Sequence, residues 1–115
     1  MILTRKYNLD IVPGGLPLYI RVSRKDTSST LVFSLFAGKG VLEVPAGTTA
    51  AFRGRGVNAS ASFSIVNHIP TVTVDLTLDM TEKAGWIPFE IVLTATIDNE
   101  EYTLVTATLY LDVRG

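Results

Sequence analysis

Gly85-Trp86-Ile87-Pro88-Phe89-Glu90-Ile91-Val92-Leu93-Thr94-Ala95-Thr96-Ile97 alternates from end to end. Its odd positions from Ile87 onward are all apolar and its even positions are mostly polar. A period of two with one apolar face is the signature of a half-buried β-strand. Residues 105–113 repeat it, with Val105, Ala107, Leu109, Leu111 and Val113 set against Thr106, Thr108, Tyr110 and Asp112. The two stretches read as the arms of one hairpin at the centre of a sheet. Opposite residues in an antiparallel pair share a face, so odd positions must meet odd ones. The turn around Asp98-Asn99-Glu100-Glu101 is therefore expected to hold three or five residues, with Asn99 suited to a positive φ.

Immediately upstream, Asp79-Met80-Thr81-Glu82 has the form of a capping box and Gly85 fits a left-handed stop. Together they predict one helical turn over residues 80–84. Before it, Val72, Val74, Leu76 and Leu78 form a clean inward face, as do Ala61, Phe63 and Ile65 one strand earlier. Residues 66–70 read as a loop and Asn58-Ala59-Ser60 as a turn. Residues 50–57 read as a strand with Phe52 inward and Arg53 and Arg55 outward. Gly54 and Gly56 share the face of Phe52, where a glycine marks the close approach of another backbone or a bulky side chain. Toward the start of the chain, Leu31, Phe33, Leu35 and Ala37 face inward and Gly38-Lys39-Gly40 turns the chain. Residues 41–44 are expected to form a short edge strand stopped by Pro45. Leu18, Ile20 and Val22, then Tyr7, Leu9 and Ile11, give two more inward faces, separated by Pro13-Gly14-Gly15. About eight short strands with one helical turn read as all-β: an antiparallel β-sandwich, Ig-like or jelly-roll-like. No linker, repeat or low-complexity tract divides residues 1–115, which read as a single domain.

The totals set limits. A chain of 115 residues is long enough for a real core. Ten basic and 11 acidic residues give a net charge of −1, without the clustered basic excess that nucleic acid or an acidic membrane would need. The absence of cysteine excludes a disulfide scaffold, a thiolate metal site and a catalytic thiol. No apolar run reaches transmembrane length, and the first residues lack the order of a signal peptide. The mean hydropathy of +0.33 hints at surface covered by a partner. These features predict a protein made and kept in the cytosol, or assembled there into something larger.

Chemistry is sparse. His68, the only histidine, reads as a loop residue, with a base or ligand as the other reading. Gly38-Lys39-Gly40 lacks the spacing and the following helix of a phosphate loop. Arg53 and Arg55 place two guanidinium groups on one strand face, suited to a phosphate or a partner carboxylate, or simply solvated. Asp75, Asp79, Glu82 and Glu90 invite a glycosidase or metal reading, but the capping box already accounts for two of them. Asn58-Ala59-Ser60 matches a glycosylation acceptor without a secretion signal. Trp86, Tyr102 and Tyr110 are expected on the outer face of the hairpin. A sugar-stacking platform, an oligomer contact and a simple edge cover all remain open for them. No cofactor, metal or catalytic residue is expected.

Two stretches carry a family resemblance. Val22-Ser23-Arg24-Lys25-Asp26-Thr27, followed by Thr30-Leu31-Val32-Phe33-Ser34-Leu35, resembles the opening of the phage baseplate upper protein N-terminal domain family. In that family a Ser-x-x-Asp element leads into a Leu-x-Phe-x-Leu strand. Leu9-Asp10-Ile11-Val12-Pro13-Gly14-Gly15 is similar to the lead-in of such domains. Val72-Thr73-Val74-Asp75-Leu76-Thr77, then Met80-Thr81, Ala84-Gly85 and the hairpin, resembles the family's strand, helical turn and closing hairpin. One departure stands out: the family's Arg-Gly strand usually runs into a Lys-Pro-Asp-Gly-like turn, and here Arg53-Gly54 continues into Arg55-Gly56-Val57-Asn58.

The resemblance implies a non-enzymatic virion structural domain, assembled in the host bacterial cytoplasm. Such a domain anchors a fibre or receptor-binding protein to the tail baseplate or another virion surface. It implies homo-oligomers, often trimers, and contacts with baseplate, fibre or capsid proteins, with no nucleic acid or membrane partner. Ending at Arg114-Gly115, directly after the last strand, the chain is expected to be either truncated or a docking module alone. Arg21, Arg53, Arg55, Trp86 and Tyr110, all on polar strand faces, are the expected protein contacts. The rival reading is a carbohydrate-binding module built on Trp86, Tyr102 and Tyr110. An enzyme would need an unrecognised carboxylate pair including Glu90.

Overall fold

The long alternating stretch folds as one strand of 13 residues, Gly85–Ile97. The structure is a computed structural model that describes residues 2–11, 17–38, 42–54, 56–106 and 109–115. Its strands are β1 (Leu3–Asp10), β2 (Tyr19–Ser23), β3 (Ser29–Phe36), β4 (Thr49–Gly54), β5 (Val57–Val66), β6 (Ile69–Asp75), β7 (Gly85–Ile97), β8 (Glu100–Val105) and β9 (Leu109–Arg114). One helical turn, α1 (Leu78–Thr81), joins β6 to β7.

The strands form one sheet in the order β1-β3-β6-β5-β4-β7-β9-β2, with β8 beside β7. β1 lies parallel to β3 and β2 parallel to β9, while the other pairs are antiparallel. The chain is therefore nearly all-β, as expected, but its sheet is a mixed, curled half-barrel and not the expected antiparallel sandwich. The reason lies in β7. It is long enough to carry β9 along one half and β8 along the other, with β4 on its opposite edge. It thus joins what would otherwise be two layers.

Those two halves run in different registers. Beside β9, Ile87 pairs with Leu111 and Phe89 with Leu109, odd with odd. Beside β8, Val92 pairs with Val105 and Leu93 with Leu104, odd with even. The turn holds two residues, Asp98 and Asn99, both at positive φ (51° and 66°), which is the type I′ pattern. This corrects the expected three or five residues. The odd-with-odd rule holds for β9 but not for β8, because the chain has one residue more between Val105 and Leu109 than β7 has between Val92 and Phe89. That is the count of a β-bulge. Buried Thr106 repairs the ladder there. Its N–H donates to the Ile91 carbonyl (3.0 Å), and its hydroxyl oxygen accepts from the Ile91 N–H (2.9 Å). Tyr102 and Leu104 consequently share the face of Leu93, and Val105 points outward, contrary to its expected inward place.

The curl brings β3 across from β4, and aromatic rings fill the space between. Phe52 lies parallel to Phe89 (centroids 4.6 Å apart, planes at 3°), Phe33 stands 6.2 Å from Phe52, and Tyr7 stacks on Phe33 at 5.9 Å. The three phenylalanines are fully buried, each contributing roughly 2–3 kcal/mol. Ile20, Val22, Leu31, Leu35, Val72, Val74 and Ile91 complete the expected interior. Gly54 makes the ring stack fit. A Cβ there would collide with the Pro88 carbonyl oxygen and lie 2.8 Å from Phe89 Cδ1. The close approach read from the sequence is therefore present at Gly54. Gly56 instead has φ +77° with open space around it, and Gly54 pairs with Val57. The strand expected over 50–57 ends at Gly54, so the chain reverses before Asn58-Ala59-Ser60, which lie within β5. Alternating Arg and Gly imitated a strand where a glycine-dependent reversal occurs.

Other boundaries shift for equally local reasons. α1 covers Leu78–Thr81, not 80–84, with Thr77 at the N-cap and Glu82 at the C-cap, so the capping box does not form. Buried Met80 and Thr81 set its position, leaving Leu78 exposed. Thr81 Oγ1 donates to the Asp26 carbonyl (3.0 Å) and the Lys25 N–H to the Thr81 carbonyl (2.8 Å), tying α1 to the connection before β3. Asn67 and His68 form a two-residue turn at positive φ between β5 and β6, replacing the expected loop. Leu42 to Val44 form no strand. Val41, Lys39-Gly40 and Pro13-Gly14-Gly15 lie outside the described residues.

Gly54→Ala should destabilise the fold by about 1–3 kcal/mol through overpacking against β7, read as a lower midpoint in urea. Thr106→Val removes the acceptor for a buried N–H and should lose about 1–3 kcal/mol, whereas Thr106→Ser should retain most of the stability.

Candidate functional site

Outer-face positions follow from the ladders, since paired residues share a face. Pro88 on β7 pairs with Tyr110 on β9, which pairs with Tyr19 on β2. One row along, Trp86 pairs with Asp112 and Asp112 with Arg21. The parallel β2–β9 pair thus adds a ring that the sequence reading missed. Tyr19 stacks on Tyr110 (5.0 Å, 12°) and leans against Trp86 (5.3 Å, 57°). Trp86 is 60% exposed and Tyr19 49%. Nothing in the local pattern of β2 announces Tyr19. Its role depends on which strand lies beside it.

The expected contact residues divide as follows. Trp86, Tyr110 and Arg21 come together on this face. Arg53 shares it, one strand further on, and donates through Nε (2.9 Å) and Nη2 to Glu90 Oε1. That exposed pair contributes no more than about 1 kcal/mol and holds Glu90, the carboxylate an enzyme reading relied on, against an arginine. Arg55 lies outside the described residues. Tyr102, expected beside Trp86 and Tyr110, sits on the opposite face because of the bulge.

Asp112 is the one mostly buried charge in the patch. Its Oδ2 accepts from Arg114 Nε at 3.0 Å and lies 3.9 Å from Arg21 Nε. It accepts a hydrogen bond from Arg114, and the largely exposed Arg21 guanidinium stands within ion-pair range of it at the rim of the aromatic cluster. Tryptophan, tyrosine and arginine together are the composition of protein-interaction hot spots.

The remaining acids gather on one groove, apart from Glu90. Asp75, Asp79 and Glu82 line an open groove between α1 and the start of β5, and Asp75 accepts from Thr30 Oγ1 at 2.7 Å. Among the described residues no group of three or more His, Cys, Asp or Glu is placed to hold a metal ion. No described helix is long and apolar enough to cross a membrane.

Asp26, the acid of the Ser-x-x-Asp element, has a structural setting. Its Oδ1 accepts from the Ser28 N–H (2.8 Å) and Ser28 Oγ (3.1 Å), and its Oδ2 from Ser29 Oγ (2.6 Å). Partial burial works to raise its pKa, but the hydrogen bonds from Ser29 and Ser28 together outweigh it and hold the carboxyl below its ordinary range.

In fold, the chain is similar to the N-terminal domain of ORF48 of phage TP901-1, with a TM-score of 0.72 over 98% of this chain and 100% of that one, at 12% identity. No protein-family model and no curated protein matches the chain.

A depressed pKa contributes stability above the unfolded value and loses it as pH falls through the folded value. Asp26→Asn should therefore lower stability by about 1–2 kcal/mol at pH 7. The gap from the parent chain should close as pH falls below about 4, as measured by urea denaturation across pH.

Proposed function

We propose that this chain is a bacteriophage virion structural protein. In this reading it is a docking domain that anchors a fibre or receptor-binding protein to the tail baseplate, or to another virion surface, and that oligomerises. The observation that carries the reading is the fold likeness to the N-terminal domain of phage TP901-1 ORF48, which spans nearly the whole of both chains. The sequence stretches around Asp26 and the closing hairpin point the same way.

The docking surface in this reading is the outer face of β7, β9 and β2. Trp86, Tyr19 and Tyr110 provide apolar area on stiff side chains, Arg114, held by Asp112, provides a directed donor, and Arg21 adds an exposed positive charge beside it. The domain works by binding and not by catalysis. Glu90 and Asp112, the acids that the ladders place on this face among the described residues, are engaged by arginines.

Geometry disfavours the carbohydrate-binding alternative. A sugar platform needs ring faces laid open side by side. Tyr19 and Tyr110 instead turn their faces to each other, and Tyr102 lies on the other side of the sheet.

Purified baseplate, fibre and capsid proteins from the same phage should include one that binds the chain. Trp86→Ala should weaken that binding at least tenfold by calorimetry while leaving the unfolding midpoint unchanged. Binding to none of them, binding indifferent to Trp86→Ala and Tyr19→Ala, or glycan binding lost on Trp86→Ala would contradict the reading.

A further inference from the structure

β5 changes partner halfway along. Its residues 57–61 pair with β4 and its residues 62–66 with β6. Both neighbours join it through two-residue turns, closed by the pairs Gly54–Val57 and Val66–Ile69. The pair that closes such a turn is hydrogen-bonded, and the pattern alternates from there. Odd residues of β5 therefore bond to β4 and even residues to β6. Pro70, which has no N–H, lies opposite Ile65, where this alternation asks for none.

The N–H and C=O groups of Asn58 and Ser60 consequently turn away from β4, toward a place that β6 does not reach. The β5–β6 ladder ends at Ser62–Thr73. From there β6 stays with β3: Asp75 pairs with Thr30, and the Leu76 N–H donates to the Ser29 carbonyl (2.9 Å). The chain then turns into α1. Among the described residues no strand runs beside Asn58 and Ser60 on this side. The open groove lined by Asp75, Asp79 and Glu82 lies there, with a volume of about 1210 Å³.

The groove offers what an added strand needs. Unpaired backbone groups on one wall are a template for pairing. Ile87 and Phe89 reach it from β7, and Val57 and Ala59, partly buried against the core, flank them. The rim is acidic, with Asp75, Asp79 and Glu82 against Lys83, all four exposed. Unlike Glu90 and Asp112, the Asp79 and Glu82 carboxylates have no ion-pair partner among the described residues. A strand laid beside β5 would set alternate side chains toward Ile87 and Phe89 and the others among the acids.

We propose that this groove takes an extended segment of another protein, added as a strand beside residues 57–61 of β5, in which apolar residues alternate with lysine or arginine. The backbone of Asn58 and Ser60 holds the segment, the apolar interior of the groove sets its register, and the acidic rim selects its charge. The site is separate from the Trp86 face and needs no second copy of the chain. It goes beyond the docking reading, and its failure would leave that reading untouched.

Capped peptides of about seven residues test it, with valine, leucine or isoleucine at alternate positions and lysine and threonine between. Added to the full chain, at least one should slow amide exchange at Asn58 and Ser60 at least tenfold, as read by nuclear magnetic resonance. Glutamate in place of the peptide's lysines should weaken binding roughly tenfold, and Asp79→Lys with Glu82→Lys should reverse that preference. Ser60→Pro removes a donor that faces the groove and none from the β4 ladder, so it should weaken binding roughly tenfold in a folded chain. N-methylation of the peptide's alternate amides, which leaves the chain itself unaltered, should abolish binding in one of its two phases. No protection of Asn58 and Ser60 by any of the peptides at about 1 mM, binding indifferent to the charge of the peptide, or binding that survives N-methylation in both phases would each overturn the proposal.

Discussion

Phe52 can lie flat on Phe89 only because residue 54 has no side chain. The ladder sets the β4–β7 spacing, and bare Gly54 lets the Phe89 ring fold back against Phe52 on the inside of the curled sheet. The rest follows from the curl. β3 comes round to place Phe33 against Phe52, Tyr7 caps the row, and α1 drops Met80 into the same interior. A flat sheet of these strands would leave one apolar face in water.

The second constraint is the change of register along β7. A strand that keeps odd residues inward against β9 must meet β8 one residue out of step. The extra residue is accommodated by Thr106, whose hydroxyl takes the place of a ladder acceptor. The same offset turns Tyr102 away from Trp86, to the side of the sheet where Leu42, Val44 and Pro45 lie beside Leu93, Ala95 and Leu104. The two faces of the β7–β8 hairpin therefore present different surfaces.

Alternation made the interior legible from the residues alone. Ile20, Val22, Leu31, Phe33, Phe52, Val72, Val74, Phe89 and Leu111 are all buried where a period of two requires it. What alternation cannot encode is the neighbour of each strand. β1–β3 and β2–β9 are parallel pairs made across long separations, and no local pattern marks them. That is why Trp86, Tyr110 and Arg21 were readable as surface residues, while Tyr19 was not readable as the ring that joins them. The shift of α1 has the same origin: Asp79 and Glu82 have capping chemistry, but the burial of Met80 decided where the turn begins.

The fold places its apolar residues in one curled interior, and the proposed reading assigns the exposed Trp86 face to contact with another protein. The most direct test of the proposed virion role is a cryo-electron microscopy reconstruction of virus particles produced from the genome that encodes the chain. The account predicts the domain at a baseplate, fibre root or other virion surface, with Trp86, Tyr19 and Tyr110 buried against another virion protein. A particle that lacks the domain, or one that carries it with those three rings facing solvent, would contradict it.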